Sequence, residues 1–496
     1  MRSISLFSSC IAALTGFACA DLNLSAPLLS KQVLPVDFKP PQVFKNANLV
    51  RTTNLDKAYV RETINVIIEN IDAKPQSKYY LPFEPSLLAN IGGLEVRDKK
   101  AAELGPFKVE VVGFDAASTT EFYLIHLPEP LAPKAQQTLS ITYSVLSTLQ
   151  PVPAQIAQSE KQYLQYTFNA YAPSSYLTEK QKTKVKFPNG DIPDFTTLPA
   201  DINEDSKVDP QKQGSTFTYG LYNNVPAGAQ QPVSVRYEFT KPVTHATRLE
   251  RDIEVSHWGG NLASEERYWL VNQGAALKNH FSRVEWQKQS YMNPPTFALK
   301  ALNLPLAPGA VDPYFTDDIG NVSTSRFRPG KKEALLELKP RYPIFGAWKY
   351  SFRVGWNADL SSYLRKLSSG DSYVLKVPFL EGPRAGEGIS YARVSLRIIL
   401  PEGATNVKFS TPVPLVANET SLHKTFMDTI GRTALTLTAI NLVDDFRDRE
   451  LVVTYDYPWT AGYRKPLVMT GGLFAVLAVV YVLGSIDTSI GKKKSA

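Results

Sequence analysis

The chain has 496 residues, 43% apolar and 20% charged, which at ~150 residues per domain allows two to four globular domains and excludes a disordered tail or a bare membrane bundle. Proline at 36 residues, above the usual ~5%, together with 24 Tyr and 24 Phe, favours strands and turns over long helices. The formal charge of +7 invites a nucleic-acid reading, but Arg2, Lys492, Lys493 and Lys494 lie at the ends, the rest is nearly balanced, and no basic run is long enough to follow a phosphate backbone.

Residues 1–20 read as a secretory signal peptide: Arg2 as the charged start, an apolar stretch over 4–17, and Ala18-Cys19-Ala20 as a small-x-small cleavage site before Asp21. The alternative, a signal anchor, needs a longer apolar stretch of ~20 residues. Both cysteines, Cys10 and Cys19, fall in this segment. The mature chain is therefore expected to have no disulfide, zinc–thiolate site or catalytic thiol.

Beyond it, strict alternation recurs. Leu139, Ile141, Tyr143 and Val145 are apolar against Ser140, Thr142 and Ser144, the period of a strand with one buried face. The pattern returns at Val233, Val235, Tyr237 and Phe239, at Tyr350, Phe352, Val354 and Trp356, and at Leu435 and Leu437 between threonines. Such strands, separated by Pro/Gly/Asn/Asp turns, predict a mainly β fold of antiparallel sheets packed as sandwiches. Few helices are expected. The clearest has Asp359 as N-cap, with Leu360, Tyr363, Leu364 and Leu367 on one face.

The chain also echoes itself at about 200 residues, which points to tandem related domains. Tyr59-Val-Arg-Glu-Thr-Ile-Asn-Val-Ile-Ile is answered by Ser264-Glu-Glu-Arg-Tyr-Trp-Leu-Val, Lys184-Val-Lys-Phe-Pro-Asn-Gly by Leu396-Arg-Ile-Ile-Leu-Pro-Glu-Gly, and Val235-Arg-Tyr-Glu-Phe by Val453-Thr-Tyr-Asp-Tyr. The expected division is a first lumenal β domain over 21–242 and a second over 243–458. Generic β-sequence is the competing explanation of the three matches.

Catalytic signatures are lacking: no HExxH, GxxxxGK, GxSxG or GxGxxG occurs, and no two of His126, His245, His257, His280 and His423 have helical ligand spacing. No catalytic residue, metal site or cofactor is expected. Asp317-Asp-Ile-Gly-Asn offers two adjacent carboxylates but reads as a hairpin turn, since neighbouring side chains on an extended segment point apart. Ser256-His-Trp-Gly-Gly reads as a packed Trp beside a glycine bend, with a binding groove as the alternative. Asn23, Asn321 and Asn418 open Asn-x-Ser/Thr sequons and are candidate glycan acceptors.

Residues 467–486 are twenty without a charge, enough as a helix to cross the ~30 Å hydrocarbon layer. Trp459 and Tyr463 precede this span as interfacial anchors in a juxtamembrane linker, 459–466. Arg464 and Lys465 nearly balance Lys492, Lys493 and Lys494 across it, so the signal peptide sets the orientation, with the body in the lumen and 487–496 in the cytosol. Gly471, Gly472 and Gly484 are either notches for another helix or ordinary glycines of a lipid-embedded helix. Lys493 and Lys494, at the fourth and third positions from the end, resemble a dilysine retrieval signal; a basic stop-transfer flank is the alternative.

Several of these segments together resemble the ribophorin I family, the first subunit of oligosaccharyltransferase. The resemblance rests on Val255-Ser-His-Trp-Gly-Gly-Asn-Leu, on Asn272-Gln-Gly-Ala-Ala-Leu-Lys followed by Phe281-Ser-Arg, on Asp317-Asp-Ile-Gly-Asn-Val-Ser-Thr-Ser and, more weakly, on Tyr79-Tyr-Leu-Pro-Phe. The layout of signal peptide, lumenal body and one C-terminal span agrees. The resemblance implies an endoplasmic reticulum membrane subunit that does not itself transfer glycan. It would act as a lumenal scaffold, with a further expectation that it presents acceptor chains. The implied partners are other subunits, including a many-span catalytic one, and membrane lipid. Animal members carry a long cytosolic tail associated with the ribosome; the ten residues after this span resemble the fungal form. Two other classes compete: an independent type I adhesion or chaperone-like binding protein, and a membrane-anchored hydrolase, for which no constellation is found.

Overall fold

The computed structural model describes residues 31–35, 38–101, 103, 105–114, 121–199, 209–292, 296–368, 370–426 and 428–486. The predicted signal peptide with Cys10 and Cys19, the Asn23 sequon, and the tail with Lys493 and Lys494 lie outside the described residues.

The N-terminal half holds β1 (Lys31–Leu34), β2 (Phe44–Asn54), β3 (Val60–Asn70), β4 (Gln76–Phe83), β5 (Ile91–Asp98), β6 (Lys108–Phe114), β7 (Glu121–Leu131), β8 (Gln136–Val145), β9 (Gln150–Pro151), β10 (Gln155–Ile156), β11 (Tyr163–Asn169), β12 (Thr178–Lys186), β13 (Asp194–Phe195), β14 (Gln211–Gln213), β15 (Thr216–Val225) and β16 (Pro232–Glu238), with a single-turn helix α1 (Pro85–Leu88). The C-terminal half holds β17 (Thr244–Ser256), β18 (Asn261–Asn272), β19 (Ala276–Leu277), β20 (Leu302–Leu306), β21 (Val311–Asp317), β22 (Gly320–Asn321), β23 (Arg326–Arg328), β24 (Ala334–Leu338), β25 (Lys349–Asp359), β26 (Leu364–Lys366), β27 (Ser372–Pro378), β28 (Ser390–Ile399), β29 (Thr405–Ser410), β30 (Ala417–His423), β31 (Arg432–Val443) and β32 (Glu450–Asp456). Helix α2 (Arg283–Met292) lies within this half and α3 (Trp459–Ser485) follows it.

The two halves follow one plan. The large sheet of the first runs β14-β15-β12-β2-β3-β8-β5, and that of the second, read from its far edge, β30-β31-β28-β17-β18-β25-β21-β22. Smaller sheets correspond too: β13-β16-β11-β9 with β29-β32-β27-β26, and β6-β7-β4 with β23-β24-β20. Each of the three sequence echoes falls on corresponding strands or the turns that leave them. The sheets are antiparallel apart from a few pairs, notably β2–β12 and β17–β28 at corresponding places. A parallel neighbour requires a long crossover, which the intervening strands of the smaller sheets supply.

Alternation builds the cores. Leu139, Ile141, Tyr143 and Val145 are buried against Leu164, Tyr166, Val235 and Tyr237, and Val354, Leu396, Leu435 and Leu437 against Leu375, Phe409 and Val453. The helix expected after Asp359 is a single 3-10 turn, Leu360–Ser362: Asp359 does cap it, accepting from the Ser361 amide at 2.9 Å, but Leu364–Lys366 leave to pair with β27. The halves are locked to each other. Lys57 reaches Asp444 at 3.2 Å and Asp445 at 2.9 Å, and Tyr59 donates to Asp444 at 2.7 Å. Gly92 packs so closely that a Cβ there would lie 1.7 Å from the Asn441 carbonyl oxygen.

Each half buries an arginine–glutamate pair on the two strands next to its parallel crossover. Arg51 on β2 holds Glu62 on β3 at 3.0 and 2.5 Å and donates to the Asn169 carbonyl. The hydroxyls of Tyr143 and Tyr166 complete the shell of Glu62. On β17 and β18, Arg251 faces Glu266 at 3.2 Å and pairs with Glu381, while Tyr268 donates to Glu266 at 2.6 Å. Burial works against the Arg51 charge, but Glu62 outweighs it and holds the guanidinium protonated; burial and Glu62 also push the phenols of Tyr143 and Tyr166 well above their ordinary value.

Removing one partner of such a pair strands a buried charge. Glu62→Leu is expected to cost about 3–5 kcal/mol in denaturant unfolding of the full chain in detergent, and Arg51→Met added to it to recover most of the loss. A single variant as stable as the parent would contradict this assignment.

Candidate functional site

The junction where α3 leaves the body joins the chain's two environments. α3 has 27 residues, none buried, and at ~1.5 Å per residue is long enough to cross a ~30 Å hydrocarbon layer. It is the one described helix with the length and hydropathy of a span. The helix starts at Trp459, so the segment 459–466 expected as a linker is helical and continuous with the span. Pro458 occupies the N-cap, where its fixed φ suits entry into a helix.

Three contacts fix the helix to the body. The first answers a proline. Pro466 lies inside α3 and has no N–H, which removes the bond that the carbonyl four residues back, that of Gly462, would accept. The Trp258 indole N–H donates to this Gly462 oxygen at 2.8 Å. Trp258, in the turn between β17 and β18, is 73% exposed. The packed Trp expected from the sequence is corrected accordingly: its ring stays outside the core because the turn projects beside the first turns of α3.

The second contact is steric. Gly403 has φ +95°, and a Cβ there would lie 2.7 Å from the Ala461 Cβ. Glycine is needed both for the left-handed backbone and for this approach.

The third is ionic. Lys465 Nζ lies 2.5 Å from Asp428 Oδ1 and 3.9 Å from Glu402 Oε2. The other Asp428 oxygen accepts from the Thr425 amide and hydroxyl at 2.8 and 2.7 Å, and Arg432 adds a contact at 3.3 Å. Glu402 Oε1 accepts from the Thr429 amide and hydroxyl at 2.7 and 2.6 Å and from the Ile430 amide at 2.6 Å. Burial raises both carboxyls, but for Glu402 the Thr429 hydroxyl and the Ile430 and Thr429 amides prevail, and for Asp428 Lys465, Thr425 and Arg432 do. Asp428 is held well below the usual carboxylate range and Glu402 below its ordinary value. Both face Lys465 as anions.

Beside them His257 accepts or donates a 2.7 Å hydrogen bond with the Tyr455 hydroxyl and packs on Tyr373 and Tyr457. Burial lowers its pKa to about 4, so it is neutral at neutral pH.

Among the other residues singled out by sequence, Asp317 and Asp318 form the two-strand turn expected, with Thr316 opposite Asn321 and Asp317 opposite Gly320. Asp317 binds Arg341 at 2.6 Å and accepts from the Ile319 and Gly320 amides at 3.0 Å. Burial raises its carboxyl, but Arg341 and those amides bring it below the ordinary value, and it serves the hairpin. Asn321 is exposed at this tip. Asn418 is half-buried on the edge strand β30, where it and Thr420 stand opposite the core residues Leu437 and Leu435. A Cβ added at Gly471, Gly472 or Gly484 would meet nothing within 4 Å beyond the helix's own backbone and the adjacent residues. The structure thus gathers none of these at the junction. Of the residues that make it, Glu402 and Asp428 were not singled out from sequence and Lys465 was read only as a charge flanking the span; the available signal was a basic residue directly before a proline at the edge of an uncharged stretch.

A duplicated, mainly β body joined through a paired lysine to the one described helix of bilayer-crossing length fits the class of single-pass membrane proteins. Residues 44–484 match the family described as Ribophorin I, and the chain belongs to it. Relatives named dolichyl-diphosphooligosaccharide–protein glycosyltransferase subunit 1 include one from Caenorhabditis elegans, 32% identical over 90% of this chain and 73% of its own length, and one from Schizosaccharomyces pombe, 29% identical over 89% and 95%. Subunit 1B of Arabidopsis thaliana is 30% identical over 92% of this chain and 96% of its length.

Proposed function

We propose that this chain is a non-catalytic subunit of the endoplasmic reticulum oligosaccharyltransferase, which transfers glycan from dolichyl diphosphate to the asparagine of Asn-x-Ser/Thr. Its body is a lumenal scaffold that presents acceptor chains, and its helix a single type I span. The observation that carries this reading is the family match over 44–484 with relatives that bear the subunit's name. The pairing of buried carboxylates supports a structural rather than a catalytic body. Both carboxylate oxygens of Glu62 and of Asp428 are engaged by the chain's own donors, whereas a working acid or base must be free to reach a substrate.

Partner subunits, a many-span catalytic one among them, meet α3 in the bilayer, and the open glycines at 471, 472 and 484 are the notches for close helix approach. The two units divide near residue 242. Isolation of the tagged chain in mild detergent is expected to bring down a many-span partner and glycan transfer to an Asn-x-Thr peptide, with no activity from this chain alone. Isolation of an inactive chain without partners from well-solubilised membranes would instead favour an independent binding protein.

Of the two described sequons, the exposed hairpin tip supports Asn321 as an acceptor, since a glycan there leaves directly into solvent. One at Asn418 would start from the inward face of an edge strand. Lys493 and Lys494 act as the retrieval signal. Peptide mass spectrometry with and without glycosidase is expected to find Asn321 occupied, and Lys493→Ser with Lys494→Ser to increase escape from the endoplasmic reticulum; an unmodified Asn321 or full retention would remove the respective assignment.

A further inference from the structure

The clamp around Asp428 and Glu402 does more than hold a lysine. It fixes residues 425–426 and 428–431, which carry large apolar side chains with no cover from the body: Phe426 is 92% exposed and Ile430 52%, and Leu422, 74% exposed at the end of β30, lies beside Gly431. A flexible loop with stray apolar residues would need no explanation. Here Glu402 takes amide hydrogens from Thr429, Ile430 and, at 3.3 Å, Gly431, and Asp428 takes the Thr425 amide, so the backbone is held in the shape that presents those side chains outward.

Their level is set by the helix. Lys465, bonded to Asp428 at 2.5 Å, stands two residues before the uncharged stretch, about 3 Å along the helix axis. The interfacial layer on either side of the hydrocarbon is about 5–8 Å deep. Phe426 and Ile430, each two residues from Asp428, therefore sit at the depth of that layer. Tyr463, 59% exposed, and Trp258, bonded to Gly462, stand within one helical turn of Lys465 and so within the same layer, while Trp459, 70% exposed, lies about 9 Å before Lys465 along the axis with its ring 6.0 Å from that of Tyr463. Aromatic and apolar side chains gathered around the entry of a span are what the headgroup region accommodates.

We propose that the clamped loop, through Leu422, Phe426 and Ile430, is a second membrane contact that inserts into the interfacial layer of the leaflet on the body's side. The chain then meets the bilayer at the helix and at a rigid foot beside it. This needs only that α3 spans a bilayer and stands apart from the oligosaccharyltransferase reading.

The test uses the full chain with Cys10 and Cys19 exchanged for alanine and one new cysteine: F426C, I430C or, as an aqueous reference, Q213C on the exposed edge strand β14. Each is labelled with an environment-sensitive fluorophore and reconstituted in phosphatidylcholine vesicles that carry either headgroup-level or mid-chain quenchers. Labels at 426 and 430 are expected to be quenched several-fold more than at 213, and more strongly by the shallow quencher. Adding Asp428→Asn should reduce the quenching at 426 and leave 213 unchanged. Quenching at 426 and 430 equal to that at 213 would overturn the proposal. So would labels that, in the isolated complex returned to vesicles, are shielded from lipid and aqueous quenchers alike, because a protein partner would then cover the foot.

Discussion

A charged side chain at the threshold of the bilayer governs how this molecule is assembled. Lys465 stands where α3 passes from water toward hydrocarbon, and an ammonium carried inward from there meets a cost that grows to about 2.5–3.5 kcal/mol at the centre of a span. Asp428 and Glu402 meet it on the body's side, and because both are tied into the same loop, the ion pair also shapes the backbone around it. Pro466 then frees the Gly462 carbonyl one turn back, and the Trp258 indole takes it. Helix, loop and turn are one connected unit, in which no member can shift without leaving a polar group unpaired.

The duplicated frame explains why this unit sits where it does. The turn leaving β12 reads Phe187-Pro188-Asn189-Gly190, and the turn leaving β28 reads Leu400-Pro401-Glu402-Gly403. In the first copy Asn189 reaches Glu238, at 3.3 Å to its carboxylate. In the second, the longer Glu402 reaches across to the 429–431 amides, and Gly403 admits Ala461. The same structural position closes one copy on itself and fastens the other to the anchor. Deeper in each copy, the Arg–Glu pairs occupy the strands beside the parallel crossover, where a buried charge facing its opposite favours these strands lying together.

Much of this was legible in the sequence. Period-2 alternation located strands such as β8, β16 and β25 because each has one buried face, and the echoes at Glu62 and Glu266 marked the duplicated plan through its buried charges. Local helix signals were less secure. Asp359 has the chemistry of an N-cap and performs it, but pairing of Leu364–Lys366 with β27 ends the helix after one turn. Helix α2 was passed over although Ser282 and Glu285 have the spacing of a capping box and Ser282 does accept from the Glu285 amide at 3.3 Å; its apolar residues follow no single face, so periodicity gave no warning. The junction was hidden for a different reason. Trp258, Glu402, Asp428 and Lys465 are far apart in sequence, and only the packed second copy brings them to one end of a helix.

Whether body and anchor form one rigid unit is read most directly as a distance distribution in lipid. Spin labels at Lys376, exposed on β27, and at Leu473 in α3 of the reconstituted full chain are expected to give one narrow distribution, which broadens when Lys465→Gln and Trp258→Phe are introduced together. A broad distribution in the unaltered chain, unchanged by those substitutions, would mean that the helix swings freely and that the junction does not hold it.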